Sequence, residues 1–138
     1  MVKANNEVEQ AYLQFLETLS SGDLERIRAT FHDDAVWQVQ VKGILGEGSH
    51  RGKKAIVDEF LAPVRGMFNP GDPKLRVTSL ASQGSLVLGE VEARGTFTDG
   101  RRYENLYVFV IEIKDGKVYR LREYMDSLYV AKLQGLAK

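Results

Sequence analysis

The feature that most restricts this chain is a change of period near residue 74. Ahead of it apolar residues recur at steps of three and four, and behind it they alternate for about fifty residues. Helices therefore come first and strands second, the segregated order of an α+β protein in which helices must cover one face of a sheet. In the first half, Val8, Ala11, Tyr12, Phe15, Leu16 and Leu19 mark one face of a helix, with Asn6 and Glu9 as a capping box and Gly22 as its stop. Asp23 caps a second helix with Leu24, Ile27 and Phe31 on its apolar face. AVWQVQV, residues 35–41, suits a strand, and the glycine-rich GILGEGSHRG leads to a third helix carrying Ile56, Phe60 and Val64, with Pro63 kinking or shortening its end.

In the second half, SQGS, TDGR and KDGK are turn signals that divide the chain into a four-stranded antiparallel meander. The tail, SLYVAKLQGLAK, reads as a short helix or a frayed end. With 138 residues the chain suits a single domain, residues 1–138. The expected fold is a cone of three N-terminal helices packed on a curved antiparallel sheet, whose open end is a ligand cavity.

The stretch LREYMD places Glu123 between Leu121 and Met125 on one strand face. A three-residue loop at Lys114, Asp115 and Gly116 puts Tyr103, Asn105, Tyr107, Phe109, Ile111, Tyr119, Leu121, Glu123 and Met125 together and sends the arginines to the opposite face. This register separates charge from apolar surface better than a two-residue turn, and stranding a charge without a partner costs roughly several kcal/mol. Glu123 is then a lone carboxylate on an aromatic and aliphatic wall, where desolvation favours acid or base chemistry near neutral pH. A hydrogen-bonded structural acid is the competing role. Glu90, Glu92 and Arg94 face the cavity if Asp99 and Gly100 form a two-residue turn, and solvent if the loop has three residues.

Nineteen basic residues balance nineteen acidic ones without a block of like charge, which argues against nucleic acid and anionic membranes as partners. The absence of cysteine removes disulfides and thiolate chemistry, and no apolar run is long enough for a signal peptide or membrane span, so a cytoplasmic protein is expected. His32 and His50 lack the spacing of a helical ligand pair, and neither phosphate-binding glycine motif is present, so neither metal nor cofactor is expected.

The succession SGDL, FHDDAVW, HRGKKAI, YENLYVF, DGKV and REYMD resembles the SnoaL-like polyketide cyclases and their relatives in the nuclear transport factor 2-like superfamily, over roughly residues 7 to 132. The resemblance implies a conical, cystatin-like α+β domain, a homodimer through the sheet and a pocket for an apolar small molecule. Ketosteroid isomerases in that superfamily carry acids and a phenol at positions that match Val39, Phe15 and Tyr107 or Val108 here, which disfavours their mechanism. In the limonene epoxide hydrolases two acids match Glu92 and Glu123, but Glu90, Trp37 and Val39 replace the bridging arginine and the water-holding residues. A cyclase needs only a base near an acidic carbon, which Glu123 supplies.

The favoured expectation is a cofactor-independent proton-transfer enzyme of isomerase, cyclase or lyase type. Glu123 is the candidate acid or base, Tyr107 and Asn105 hold a substrate oxygen, and Trp37, Phe15, Met125, Tyr12, Glu92 and His50 are candidate binding residues. The alternatives are a non-catalytic binding or association domain and an epoxide hydrolase using Glu92 with Glu123.

Overall fold

A computed structural model describes residues 2–138. Helix α1 (Glu7–Ser21) begins where the Asn6 side chain accepts the Glu9 amide at 2.9 Å and ends at Gly22, whose φ of 74° suits glycine. The Glu9 carboxylate accepts from the Asn5 amide, the Asn6 side chain and the Ser82 hydroxyl, which ties the helix start to the sheet. Asp23 caps α2 (Leu24–Thr30), and strand β1 (Phe31–Val39) follows directly. FHDD therefore lies in a strand, and Phe31, expected on the helix, is fully buried at the strand's start.

The glycine-rich segment contains a short strand, β2 (Gly48–Arg51), hairpinned to β1. A π-helical run, Lys54–Leu61, then tightens into α3 (Ala62–Gly66). Pro63 lies beside the change of helix type at Ala62, and the helix ends three residues later at Gly66, the shortened end expected of proline. Strands β3 (Lys74–Gln83), β4 (Leu86–Thr96), β5 (Arg102–Lys114) and β6 (Lys117–Met125) form the meander, and α4 (Ser127–Leu133) closes the chain. The sheet order is β2-β1-β6-β5-β4-β3. The α+β architecture holds, but the sheet is mixed: β1 runs parallel to β6, with Val39 beside Glu123. Among the described residues no helix is long and apolar enough to cross a membrane.

Two turns decide which side chains meet the helices. At KDGK, Asp115 and Gly116 have φ of 54° and 72°, the two-residue turn with both central residues left-handed. The three-residue loop expected from sequence is not formed. The register nevertheless shifts between Glu112 and Ile113, so that Tyr119 becomes an extra residue in β6, and Phe109 opposes Glu123. The bulge restores the parity that the turn alone would have lost. Glu123 keeps its inner-face position, while Tyr119 leaves that face to lie under Arg120 and Lys114, and Val118 is buried instead.

The other turn, Thr98 to Gly100, has three residues, with the Phe97 amide donating to the Arg101 carbonyl at 2.9 Å. Glu90, Glu92 and Arg94 thereby pair with Val108, Leu106 and Glu104 on the outer face.

Helix α1 packs against the sheet through Tyr12, Phe15, Leu16 and Leu19, all buried. Tyr12 reaches furthest: its hydroxyl lies 3.0 Å from the Phe109 carbonyl and 3.3 Å from that of Gly89. A Cβ on Gly89 would stand 2.6 Å from that hydroxyl and 2.9 Å from the Ser79 carbonyl, so the strand needs glycine there. Gly89→Ala should lower unfolding stability by about 1–3 kcal/mol, the usual cost of overpacking. Placing it in a Tyr12→Phe background should recover part of that loss, because the nearest of the three obstructing atoms, the hydroxyl, is gone while the ring carbon and the Ser79 carbonyl remain. Denaturant midpoints measure both, and an unchanged midpoint for Gly89→Ala would refute the close approach.

Candidate active site

The inner face of the sheet, the π-helical run, the loop after β1 and α4 enclose a cavity of about 400 Å³. Its wall is largely apolar, contributed by residues such as Val39, Ile44, Phe60, Phe68, Met125 and Val130. Glu123, Tyr103 and Tyr107 bring polar atoms to it, and Arg101 and Gln134 reach it from more exposed positions.

Glu123 is 7% exposed, and its Oε1 accepts the Trp37 indole N–H at 2.7 Å. Trp37 is itself fixed by edge contacts with Phe109 and Phe60, with ring centroids 5.9 and 5.5 Å apart. Among the described residues no buried side-chain oxygen lacks a partner. The Glu123 oxygen not bonded to Trp37 therefore retains access to the cavity. Burial pushes the carboxyl up from an ordinary 4.5 to about 7, against the smaller downward pull of the Trp37 hydrogen bond. No cation pairs with it among the described residues.

Tyr107 and Met125 line the same cavity, as their register with Glu123 requires. Asn105 does not: its amide nitrogen donates to the Tyr103 hydroxyl at 3.1 Å, and its oxygen accepts the Leu106 amide at 2.8 Å. Tyr103, left out of the candidate set, is the residue that Asn105 serves. Its hydroxyl makes a hydrogen bond with that of Tyr107. Burial raises both phenols above their ordinary range, most strongly Tyr107, so both remain protonated at neutral pH.

Five expected binding residues fall elsewhere, Trp37 among them: it holds the Glu123 carboxylate without lining the cavity itself. The Tyr12 hydroxyl is spent on the strand carbonyls, and Phe15 packs behind Trp37 at 6.4 Å between centroids. Glu92 lies on the outer face, where Arg76 donates to it at 2.8 Å; that pair holds its carboxyl below the usual range. His50 stacks on Phe60 at 4.1 Å, and its Nε2 bonds with the Gly46 carbonyl at 2.8 Å. The outward Glu92 also dissolves the epoxide hydrolase constellation, since only one of its two acids reaches the cavity.

The tail takes the helical alternative of the two expected from sequence, and it forms the far wall of the cavity, a role that was not foreseen. Helix α4 is a defined element capped by Asp126, whose side chain accepts the Tyr129 amide at 3.1 Å, and Val130 and Leu133 point into the cavity. The signal was present as an N-cap followed by an i, i+3 apolar pair. Across the opening, the Leu45 amide donates to the Gln134 side chain at 2.9 Å, a contact that no local pattern encodes.

Comparison with curated proteins finds no match. Among solved structures, the chain is similar to a nuclear transport factor 2-like protein of unknown function from Burkholderia pseudomallei, with 18% identity and a TM-score of 0.78 over 96% of this chain and 98% of that one. It is also similar to an epoxide hydrolase from M. tuberculosis described as LEH-like, with 23% identity and a TM-score of 0.70 over 94% and 89% of the two chains. A putative SnoaL-like polyketide cyclase from Jannaschia sp. CCS1 aligns at 15% identity and a TM-score of 0.75 over 99% and 97%. These likenesses establish the fold. The model of the SnoaL-like domain matches residues 12–121, and the chain belongs to that family.

Proposed function

We propose that this protein is a cofactor-independent proton-transfer enzyme, of isomerase, cyclase or lyase type, acting on an apolar small molecule. The observation that carries the proposal is Glu123: a carboxyl in an apolar cavity, one oxygen held by Trp37 and the other available, with a pKa of about 7. An acid or base works best when its pKa lies near the working pH, because both protonation states are then populated. A residue placed only for support has no need of that balance. Tyr107 supplies a hydroxyl for a substrate oxygen, and the apolar wall selects the substrate body.

The competing proposal, a non-catalytic binding domain, shares the cavity and differs only in what Glu123 does. Glu123→Gln separates the two. It keeps the shape and can keep the Trp37 hydrogen bond, but removes the proton-accepting group. Solvent-deuterium incorporation beside the carbonyl of apolar ketones should fall by about 10²–10⁴-fold, the usual contribution of a positioned acid–base group. Equal incorporation rates in wild type and variant would exclude Glu123 as the acid or base. Binding without any incorporation in the wild type would favour the binding domain.

The same carboxyl imposes a pH dependence on stability. Below 4.5 both folded and unfolded chains hold the Glu123 proton, and its stabilising contribution is complete. Between 4.5 and about 7 the unfolded chain releases the proton that the folded chain retains, so stability falls as pH rises. The loss amounts to about 3 kcal/mol at 1.36 kcal/mol for each pH unit. Glu123→Gln should remove this decline. Parallel stability profiles for the two proteins between pH 4.5 and 7.5 would contradict the burial of an ionisable group here.

The outer sheet face supports a homodimer as part of the same proposal. Leu106 is 69% exposed, and Leu88 and Tyr124 stand exposed on the same face beside Val108. Light scattering at micromolar concentration should give twice the chain mass, and Leu106→Lys should give the single mass. A monomeric wild type under those conditions would count against the dimer.

A further inference from the structure

The phenols of Tyr103 and Tyr107 raise a question of proton accounting. Two hydroxyls carry two protons, and the hydrogen bond between them uses one. The Asn105 amide donates to Tyr103 and so consumes an acceptor site there, leaving the proton count unchanged. Among the described residues neither hydroxyl makes any other hydrogen bond to the protein. If Tyr107 donates to Tyr103, the Tyr103 proton is unassigned; if Tyr103 donates to Tyr107, the Tyr107 proton is. In both arrangements one O–H remains, and both residues line the Glu123 cavity.

From this we infer that Tyr103 and Tyr107 form an exchangeable donor pair, which presents one phenolic O–H to the carbonyl oxygen of an otherwise apolar ligand. The inference rests on the proposal that the Glu123 cavity is the reactive site, and it narrows the ligand to carbonyl compounds. Tyr107 lies on β5 next to Phe109, which stands opposite Glu123, and Met125 stands opposite Tyr107. A ligand oxygen at the phenols therefore brings the adjacent carbon toward the carboxylate side of the same face. Removal of a proton from that carbon by Glu123 leaves its electron pair in an enolate, whose oxygen the remaining O–H stabilises. The proton moves to Glu123, no bond to the protein forms, and no oxidant or reductant is required. Asn105 is a positioning residue, because it holds the Tyr103 oxygen without reaching the cavity itself.

An exchangeable pair has an unusual signature. Tyr103→Phe leaves Tyr107 with a free proton, and Tyr107→Phe leaves Tyr103 with one, so each single variant retains a donor. Only the double variant has none. The probes are 2-acetylnaphthalene and its hydrocarbon counterpart 2-ethylnaphthalene, at pH 8.5, where Glu123 has lost the proton that would compete as a donor. Each single variant should bind the ketone within about threefold of wild type, and the double variant should bind it at least about tenfold more weakly, the change of roughly 1.4 kcal/mol expected for losing one hydrogen bond. Affinity for 2-ethylnaphthalene should remain within threefold, by the same reasoning, which also reports that the double variant folds.

Should the double variant fail to fold, the infrared carbonyl stretch of the ketone bound to wild type decides the matter, because a phenolic hydrogen bond lowers it relative to the ketone in hexane. An unshifted stretch, or unchanged ketone affinity in the double variant, overturns the donor pair while leaving the cavity assignment intact. Failure of both probes to bind wild type overturns the pair and the cavity assignment together.

Discussion

The hydrogen bond from the Trp37 indole to Glu123 ties the candidate site to the topology of the sheet. It spans the only parallel strand pair among the described residues, where Val39 of β1 lies beside Glu123 of β6 and Trp37 beside Leu121. Without that pairing the carboxyl would face the helices with no donor. Burial penalises the charged carboxylate and raises its pKa, and the indole hydrogen bond, which favours the charged form, lowers it by less. The balance favours desolvation, and Glu123 settles near 7. A second donor or a neighbouring arginine would tip it back toward an ordinary, permanently charged acid.

That balance explains why charge is kept off the inner face. Arg120, Arg122 and Glu112 occupy the outward positions of β5 and β6, and Glu90, Glu92 and Arg94 the outward positions of β4. An arginine turned inward would pair with Glu123 and hold it ionised. The buried polar groups that share the cavity with Glu123 are neutral phenols, which act as donors without fixing the carboxylate charge, while Arg101 and Gln134 reach it from more exposed positions.

Much of this arrangement was legible in the sequence, though partly for reasons that differ from the structure. Segregating Arg120 and Arg122 from Leu121 and Glu123 identified the inner face of β6, because burying those guanidinium groups is costly. The loop proposed to produce that register was wrong. Asp115 adopts a left-handed conformation, allowing the short turn, and the bulge at Tyr119 corrects the parity. Burial energetics thus determined the outcome, while turn chemistry settled only how the chain reached it. Tyr12 shows the opposite limit. Periodicity placed it on the buried face of α1, but its long side chain could serve the cavity or the strand backbone, and only the gap above Gly89 decides. Asn105 similarly shares a strand face with Glu123, yet side-chain reach, which alternation does not encode, directs it to the Tyr103 hydroxyl.

The parallel pair itself lay beyond sequence reasoning because more than half of the chain separates β1 from β6. Antiparallel neighbours announce themselves through the turn that joins them, as KDGK and TDGR do. A parallel partner needs a long crossover, and here the crossover is the meander together with α3 and its π-helical approach. The pairing brings together residues that no local turn could: an aromatic donor from the helical half meets an acid from the sheet half inside one apolar wall. A purely local hairpin would supply partners only from adjacent sequence, where the outward arginines of β6 and acids of β5 already occupy the other face. The site draws its isolation from distance along the chain: among the described residues the carboxyl receives one distant, neutral donor and no cation, and that scarcity of partners is what lets burial dominate its pKa.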